Sequence, residues 1–348
     1  MLFEEWRLGK IVLRNRLVRS ATNMRMAGPE GEVTEELLEV HRRLNAGGIG
    51  LDITGHAFIS PEGKVNPGQL GVYDDFLISG LSRLAEAVHR EGGKILLQLA
   101  HGGSLAREAK GERISPSPFR GARPLSSEEI PDLIEAFVKA ALRAKKAGFD
   151  GVQLHAAHGY LLAAFLSPRL NRREDEYGGR QGGIRLLKEI IGGIKEACGR
   201  DFPVVVKLGP DAPKGGNDVE DIVEILRGLS EGGLDGAEIS RGVAPVSEII
   251  VEGVRPGKGE AYNLPCALEV KRGIPDLKVI LVGGMRSVEV AERVLEEGID
   301  AVAFSRPLIA EPQLPKRWEK GDHSPSKCLS CNLCFTIKEP VACRGLNP

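Results

Sequence analysis

Short apolar runs alternate with longer amphipathic stretches along the whole chain, and that alternation predicts strands each followed by a helix. The strand cores are Leu17–Ser20, Gly50–Thr54, Ile95–Leu99, Val152–His155, Val204–Leu208, Gly236–Ser240, Val279–Val282 and Ala301–Phe304. Between them, Leu81 to His89, Ile134 to Lys145, Glu220 to Leu229 and Val288 to Leu295 place apolar residues at three- and four-residue steps with charges opposite, as helices coating a sheet require. Gly148, Gly233 and Gly298 stand between such a helix and the next strand, where a left-handed helix end is expected. Eight β-then-α units predict an α/β protein of the TIM (β/α)8 barrel class. The stretch from Gly102 to Arg123 is too long for a simple connector and follows the third strand, hence belongs to the catalytic rim.

With 348 residues, length alone allows two or three domains or one large barrel. The pattern favours a barrel over residues 1–321 and a short cysteine-containing tail over 322–348, since no linker precedes about Asp322. Hydrophobic residues at 42% and charged ones at 27% describe an ordinary folded protein, and a net charge of -1 recruits neither nucleic acid nor an anionic membrane. Acidic Glu4 and Glu5 stand where a signal peptide needs a basic region, and no apolar run reaches membrane-spanning length. A cytoplasmic location is therefore expected. Homo-oligomer formation stays open.

Polar residues gather at the C-terminal ends of the strands, where this architecture carries its active site. His155-Ala-Ala-His158-Gly159-Tyr160 follows the fourth strand, and two imidazoles with a phenol can hold a carbonyl oxygen and deliver a proton. In isolation the same segment reads more readily as two satisfied histidines and an interface tyrosine. Ser20, Thr22, Gln98, His101, Lys207, Ser240, Gly283, Gly284, Ser305 and Arg306 fall at the same rim, however, and their convergence favours the chemical reading. Gly283-Gly284 after the seventh strand and Ser305-Arg306 after the eighth offer backbone N–H groups and a guanidinium to a phosphate. Lys207 suits the pyrimidine edge of a flavin, with Gln98 bonding the ring amide; alternatively Lys207 pairs with Asp211 or another carboxylate.

The chain resembles the old yellow enzyme family of FMN-dependent ene-reductases, in the branch that includes 2,4-dienoyl-CoA reductase and trimethylamine dehydrogenase. The resemblance covers nearly the full length. It is carried by residues 13–18 (Leu-Arg-Asn-Arg-Leu-Val), 98–103 (Gln-Leu-Ala-His-Gly-Gly), His155 to Leu162, Phe165 to Pro168, Asn171 to Arg173, Asp175 to Gly179 and Val282 to Gly284. It implies a TIM barrel with FMN at the C-terminal rim and NAD(P)H as reductant. Ser20, Ala21 and Thr22 would underlie the flavin, and Gln98 and Lys207 would meet its pyrimidine edge. Gly283, Gly284, Ser305 and Arg306 would hold the phosphate, His155 and His158 the substrate carbonyl, with Tyr160 as proton donor. Two departures stand out. Arg180 to Arg185 replaces a family run one residue longer, which predicts an altered helix start. The first strand ends Ser20-Ala21-Thr22-Asn23, leaving open which of Thr22 and Asn23 faces the flavin.

Cys328-x-x-Cys331-x-x-Cys334 and Cys343 have metal-like spacing, with shorter gaps than in the family's iron–sulfur members. A [4Fe-4S] cluster, a structural zinc and unliganded thiols compete. The sequence to Pro348 contains no second nucleotide-binding domain to receive electrons from a cluster, which favours empty thiols. Cys198 and Cys266 read as a helix and a loop residue. No G-x-G-x-x-G follows a strand, so a separate dinucleotide-binding module is not expected. The function expected is ping-pong reduction of an electron-poor alkene, an enone or enal, by NAD(P)H through FMN. The alternatives are an amine or dienoyl-CoA-type oxidoreductase with a cluster, and a catalytically silent flavin-binding scaffold.

Overall fold

The computed structural model describes residues 1–212, 215–335 and 340–346. Eight parallel strands close on themselves: β1 (Leu17–Arg19), β2 (Leu51–Ile53), β3 (Lys94–Ala100), β4 (Gly151–His155), β5 (Val204–Leu208), β6 (Gly236–Ile239), β7 (Lys278–Val282) and β8 (Ala301–Phe304). Each pairs with the next, and β8 returns to β1 through Val302 opposite Leu17. The TIM barrel is therefore as the pattern predicts. Its strands are buried on both faces, which explains why they read as continuous apolar runs and not as alternating ones.

The helices that follow the strands are α1 (Glu35–Ala46), α2 (Ile78–Arg90), α3 (Ile130–Lys146), α4 (Gly179–Cys198), α5 (Val219–Glu231), α6 (Leu264–Gly273), α7 (Val288–Glu296) and α8 (Leu314–Glu319). Thr34 caps α1 by accepting from Leu37 N, and Asp218 and Asp221 form a reciprocal capping box on α5. Gly148, Gly233 and Gly298 take φ of +86°, +95° and +98°, the left-handed geometry expected at those helix ends. The run Arg180 to Arg185 lies inside α4, which begins at Gly179 and runs 20 residues. Cys266 is a correction: it lies in α6, not in a loop, because Pro265 occupies the first turn of a helix that starts one residue earlier.

Periodicity missed an antiparallel hairpin, Trp6–Leu8 with Ile11–Leu13, whose strands are too short to show a period. Its Trp6, Leu8 and Leu13 pack with Val18, Leu51, Leu96, Val205 and Ile280 and close the interior at the N-terminal ends of the strands. The opposite end is left for polar groups. None of the helices, among the described residues, is long and apolar enough to cross a membrane.

Candidate active site

Strand register sets the site. Gln98 lies opposite Gln153, and His155, Lys207 and Glu238 form one row across β4, β5 and β6. In that row the Lys207 ammonium donates to Glu238 Oε1 at 3.1 Å and to Ser20 Oγ at 2.8 Å, with Glu238 fully buried. Gln153 continues the network, donating to Glu238 Oε2 at 2.8 Å and accepting from Gln98 at 2.6 Å. Hydrogen bonds from Ser20, Lys207 and Gln153 satisfy the buried carboxylate, and the ammonium uses two of its three protons here. Lys207 is thus paired, with Glu238 and not with Asp211, whose carboxylate accepts from Ser167 Oγ, Asn217 N and Val243 N. Glu238 and Gln153 were not singled out from the sequence; their signal is a polar side chain in the middle of an otherwise apolar strand.

Above this network the chain turns sharply. His158 adopts φ of +60° and Gly159 +76°, and Tyr160 precedes the buried short helix Leu161–Leu166. The left-handed turn at a non-glycine residue brings the His158 imidazole and the Tyr160 phenol alongside His155 at the strand end. The His155 ring lies 5.1 Å from that of His158 and 4.6 Å from that of Tyr160, both edge to face. His158 Nε2 meets Ser240 Oγ at 3.0 Å, while the buried His155 Nδ1 has no protein partner among the described residues. An orphaned buried nitrogen beside a phenol is a place for a ligand oxygen.

A third histidine joins them. His56, just beyond β2, brings Nε2 within 3.3 Å of Tyr160 Oη and lies parallel to His155 with ring centroids 6.0 Å apart. The sequence reading passed over it, although its position past a strand end was the available signal. His101 is buried near the rim, but its Nδ1 accepts from Gly103 N, so it shapes the loop after β3.

Burial holds His56 and His101 down to about 4. It also holds His155 and His158 well below the usual imidazole range, with the cation of Lys207 adding to the effect. Burial pushes the Tyr160 phenol up, so it keeps its proton. At neutral pH the rings of His56, His155, His158 and Tyr160 are uncharged donors and acceptors, suited to polarising a carbonyl and supplying one proton.

At the ends of β7 and β8, Gly283 and Gly284 take φ of +149° and +74°. A Cβ on Gly283 would lie 3.0 Å from the Tyr262 ring, and one on Gly284 2.9 Å from Gly259 O, so the cradle stays bare backbone. Thr22 Oγ1 meets Ser305 Oγ at 2.8 Å, tying the first strand end to the eighth; Asn23 instead donates to Asn66. Ala21 is half-buried against the apolar cluster inside the barrel. Arg306 uses one nitrogen, Nη1, to donate to Val251 O and Asn332 Oδ1; its Nε and Nη2 make no hydrogen bond among the described residues.

The tail folds back over this end. Ser326 N donates to Arg286 O, Arg286 donates to Ser330 Oγ, and Val341 N donates to Met24 O. Cys328, Cys331, Cys334 and Cys343 border one cavity together with Arg306 and Arg344. Among the described residues no three potential ligands converge on an ion-sized site. The Cys334 thiol is pushed up to about 11, by burial first and then by Cys328, against the opposing pull of Arg306.

Residues 1–324 match the NADH:flavin oxidoreductase / NADH oxidase family. The chain is 38% identical to an NADH oxidase of Thermoanaerobacter brockii over 346 residues, which is 95% of this chain and 53% of that protein. It is 34% identical to an NADPH dehydrogenase of Halalkalibacterium halodurans, covering 90% of this chain and 93% of that one. Among solved structures, 2-naphthoyl-CoA reductase in complex with 2-naphthoyl-CoA superposes with a TM-score of 0.89 at 29% identity, over 96% of this chain and 54% of that one. The old yellow enzyme homologue from Zymomonas mobilis gives 0.77 at 27% identity, over 93% and 94%. The chain thus spans about half the length of the NADH oxidase and of the naphthoyl-CoA reductase.

Proposed function

The chain belongs to the NADH:flavin oxidoreductase / NADH oxidase family, that of the old yellow enzymes, and from that premise we propose that it reduces electron-poor alkenes such as enones and enals. The observation that carries this reading is the convergence of His155, His158 and Tyr160, with an orphaned imidazole nitrogen, at the mouth of the barrel. When bound and reduced by NAD(P)H, FMN would supply the hydride. The residues present fit that cofactor: a bare glycine cradle and a guanidinium with an uncommitted edge suit its phosphate, and buried Gln98 and Lys207 suit its pyrimidine edge. Gly283, Gly284, Ser305 and Arg306 would hold the phosphate, and Ser20, Ala21 and Thr22 would lie beneath the ring.

His155 and His158 hold the substrate oxygen as neutral donors, and so stabilise the negative charge that grows on it. Tyr160 gives its proton to the carbon next to the carbonyl. A neutral phenol suits this step, because burial prevents its ionisation before substrate arrives. His56 Nε2 lies 3.3 Å from the Tyr160 hydroxyl and, as a donor to its oxygen, would fix its direction while leaving the phenol proton for the substrate. Nicotinamide and alkene occupy the same mouth in turn, which makes the cycle ping-pong. The test is anaerobic stopped-flow: 2-cyclohexen-1-one should reoxidise the reduced holoenzyme, and Tyr160→Phe should slow that step by about two to four powers of ten with flavin reduction unchanged. An unchanged rate would remove Tyr160 from the role.

The cysteine-lined cavity favours a second component. Four thiols border one void with arginines beside them, a lining whose charge would suit an anionic [4Fe-4S] cluster. In that reading residues 322–348 form the cluster-bearing tail of a 1–321 barrel, and the cluster would serve electron exchange with a partner acceptor, as in the oxidative alternative.

A further inference from the structure

We propose that Asn332, in the cysteine tail, is a positioning residue for the flavin phosphate and acts through Arg306. The inference rests on the reading above that Arg306 meets that phosphate. Arg306 is 7% exposed, and a buried guanidinium with a long stem has many rotamers unless something pins it. Its pins are two oxygens on a single nitrogen: Nη1 donates to Asn332 Oδ1 at 2.5 Å and to Val251 O at 2.8 Å. The opposite edge, Nε and Nη2, is the edge that a phosphate can accept from in bidentate fashion.

Asn332 is itself fixed. Its Nδ2 donates to Ile250 O at 3.1 Å, so one amide ties Arg306 to the loop after β6 and orients the guanidinium in two directions at once. Its backbone is left-handed, φ +60°, a conformation that asparagine tolerates better than most residues and that turns the side chain back from the tail towards the barrel. The neighbouring Ser330 repeats the arrangement, with φ of +54°, its Oγ accepting from Arg286 and its O accepting from Gly253 N. Two consecutive left-handed turns thus aim two tail side chains at two arginines on the ends of β7 and β8. The tail therefore completes the phosphate pocket from outside the barrel, with no contact of its own to the ligand.

The experiment uses holoenzyme equilibrated under argon with a mixture of FMN and riboflavin, and reads the ratio of the two flavins bound. Riboflavin lacks the phosphate, so the ratio isolates phosphate recognition from general loosening of the fold. Asn332→Gly keeps the left-handed backbone while removing the amide, and it should lower the ratio roughly tenfold; Arg306→Ala should lower it by about 10- to 100-fold. The double variant should match Arg306→Ala within about twofold, since Asn332 acts only through that side chain. Asn332→Ala, which adds backbone strain, should lose both flavins more readily but give the same ratio as Asn332→Gly. A ratio unchanged in Asn332→Gly but collapsed in Arg306→Ala overturns the role of Asn332 alone. A ratio unchanged in Arg306→Ala overturns the phosphate assignment on which it rests. Additive losses in the double variant would also overturn it, because Asn332 would then act independently of Arg306.

Discussion

The mouth of the barrel and the cysteine tail hold their functional side chains by different means. At the mouth, His155 ends a strand, Lys207 and Glu238 sit in register beside it, and hydrogen-bonded ladders fix all three backbones. Among its described residues the tail has no strand of its own and is held by single contacts such as Val341 N to Met24 O and Ser326 N to Arg286 O. Chemistry that demands fixed geometry is built on the ladder, and groups that adapt to what they bind are hung from loops. The difference predicts that damage at the mouth shows up in rates and ligand affinity, and damage to the tail in stability and cofactor content.

The sharpest contrast comes from His155→Ala combined with His158→Ala. Loss of two donors to one oxygen should weaken binding of a para-substituted phenol to the oxidised holoenzyme by about 100-fold, while FMN stays bound. Spectrophotometric titration reads both, and unchanged affinity would mean that the pair does not face the ligand. Cys331→Ser with Cys334→Ser should leave flavin reduction by NAD(P)H within about twofold of the parent. After anaerobic purification the parent should contain about four iron and four sulfide per FMN and the variant almost none. Zinc in place of iron would replace the cluster reading with a structural one.

The smallest effect is on pH. His56 and His101 are held down to about 4 when folded, against an unfolded value near 6.5, so the unfolded chain binds more protons between those limits. Stability should be full above about 6.5 and decline as pH falls towards about 4. Circular-dichroism melts across that window check the sign, and a midpoint that rises on acidification would contradict neutral, buried imidazoles.

Eight strands and four of the helices that follow them were legible because barrel strands are short, mostly apolar and separated by helices with a clear period. The hairpin at Trp6 to Leu13 was not, since three-residue strands carry no period. His155, His158 and Tyr160 stood out as a cluster within six residues. His56 did not, because it comes from another strand end and meets them only after the barrel closes. Glu238 and Gln153 were hidden for a related reason: interior polar residues become intelligible only when the register brings their partners alongside. The tail was legible as four cysteines, but its attachment to Arg286 and Arg306 depends on left-handed turns at Ser330 and Asn332 that composition does not announce.

The central claim is that the mouth of this barrel delivers a hydride from reduced FMN and a proton from Tyr160 to the two ends of an activated double bond. The most direct test is anaerobic turnover of 2-cyclohexen-1-one with nicotinamide deuterated at the transferred position, with the saturated ketone analysed by NMR. The account predicts deuterium at the β-carbon in ordinary water. With undeuterated cofactor in heavy water it predicts solvent deuterium at the α-carbon. If the flavin is reduced by the nicotinamide yet no saturated ketone forms, and the electrons leave only to oxygen or a one-electron acceptor, the ene-reductase account is contradicted.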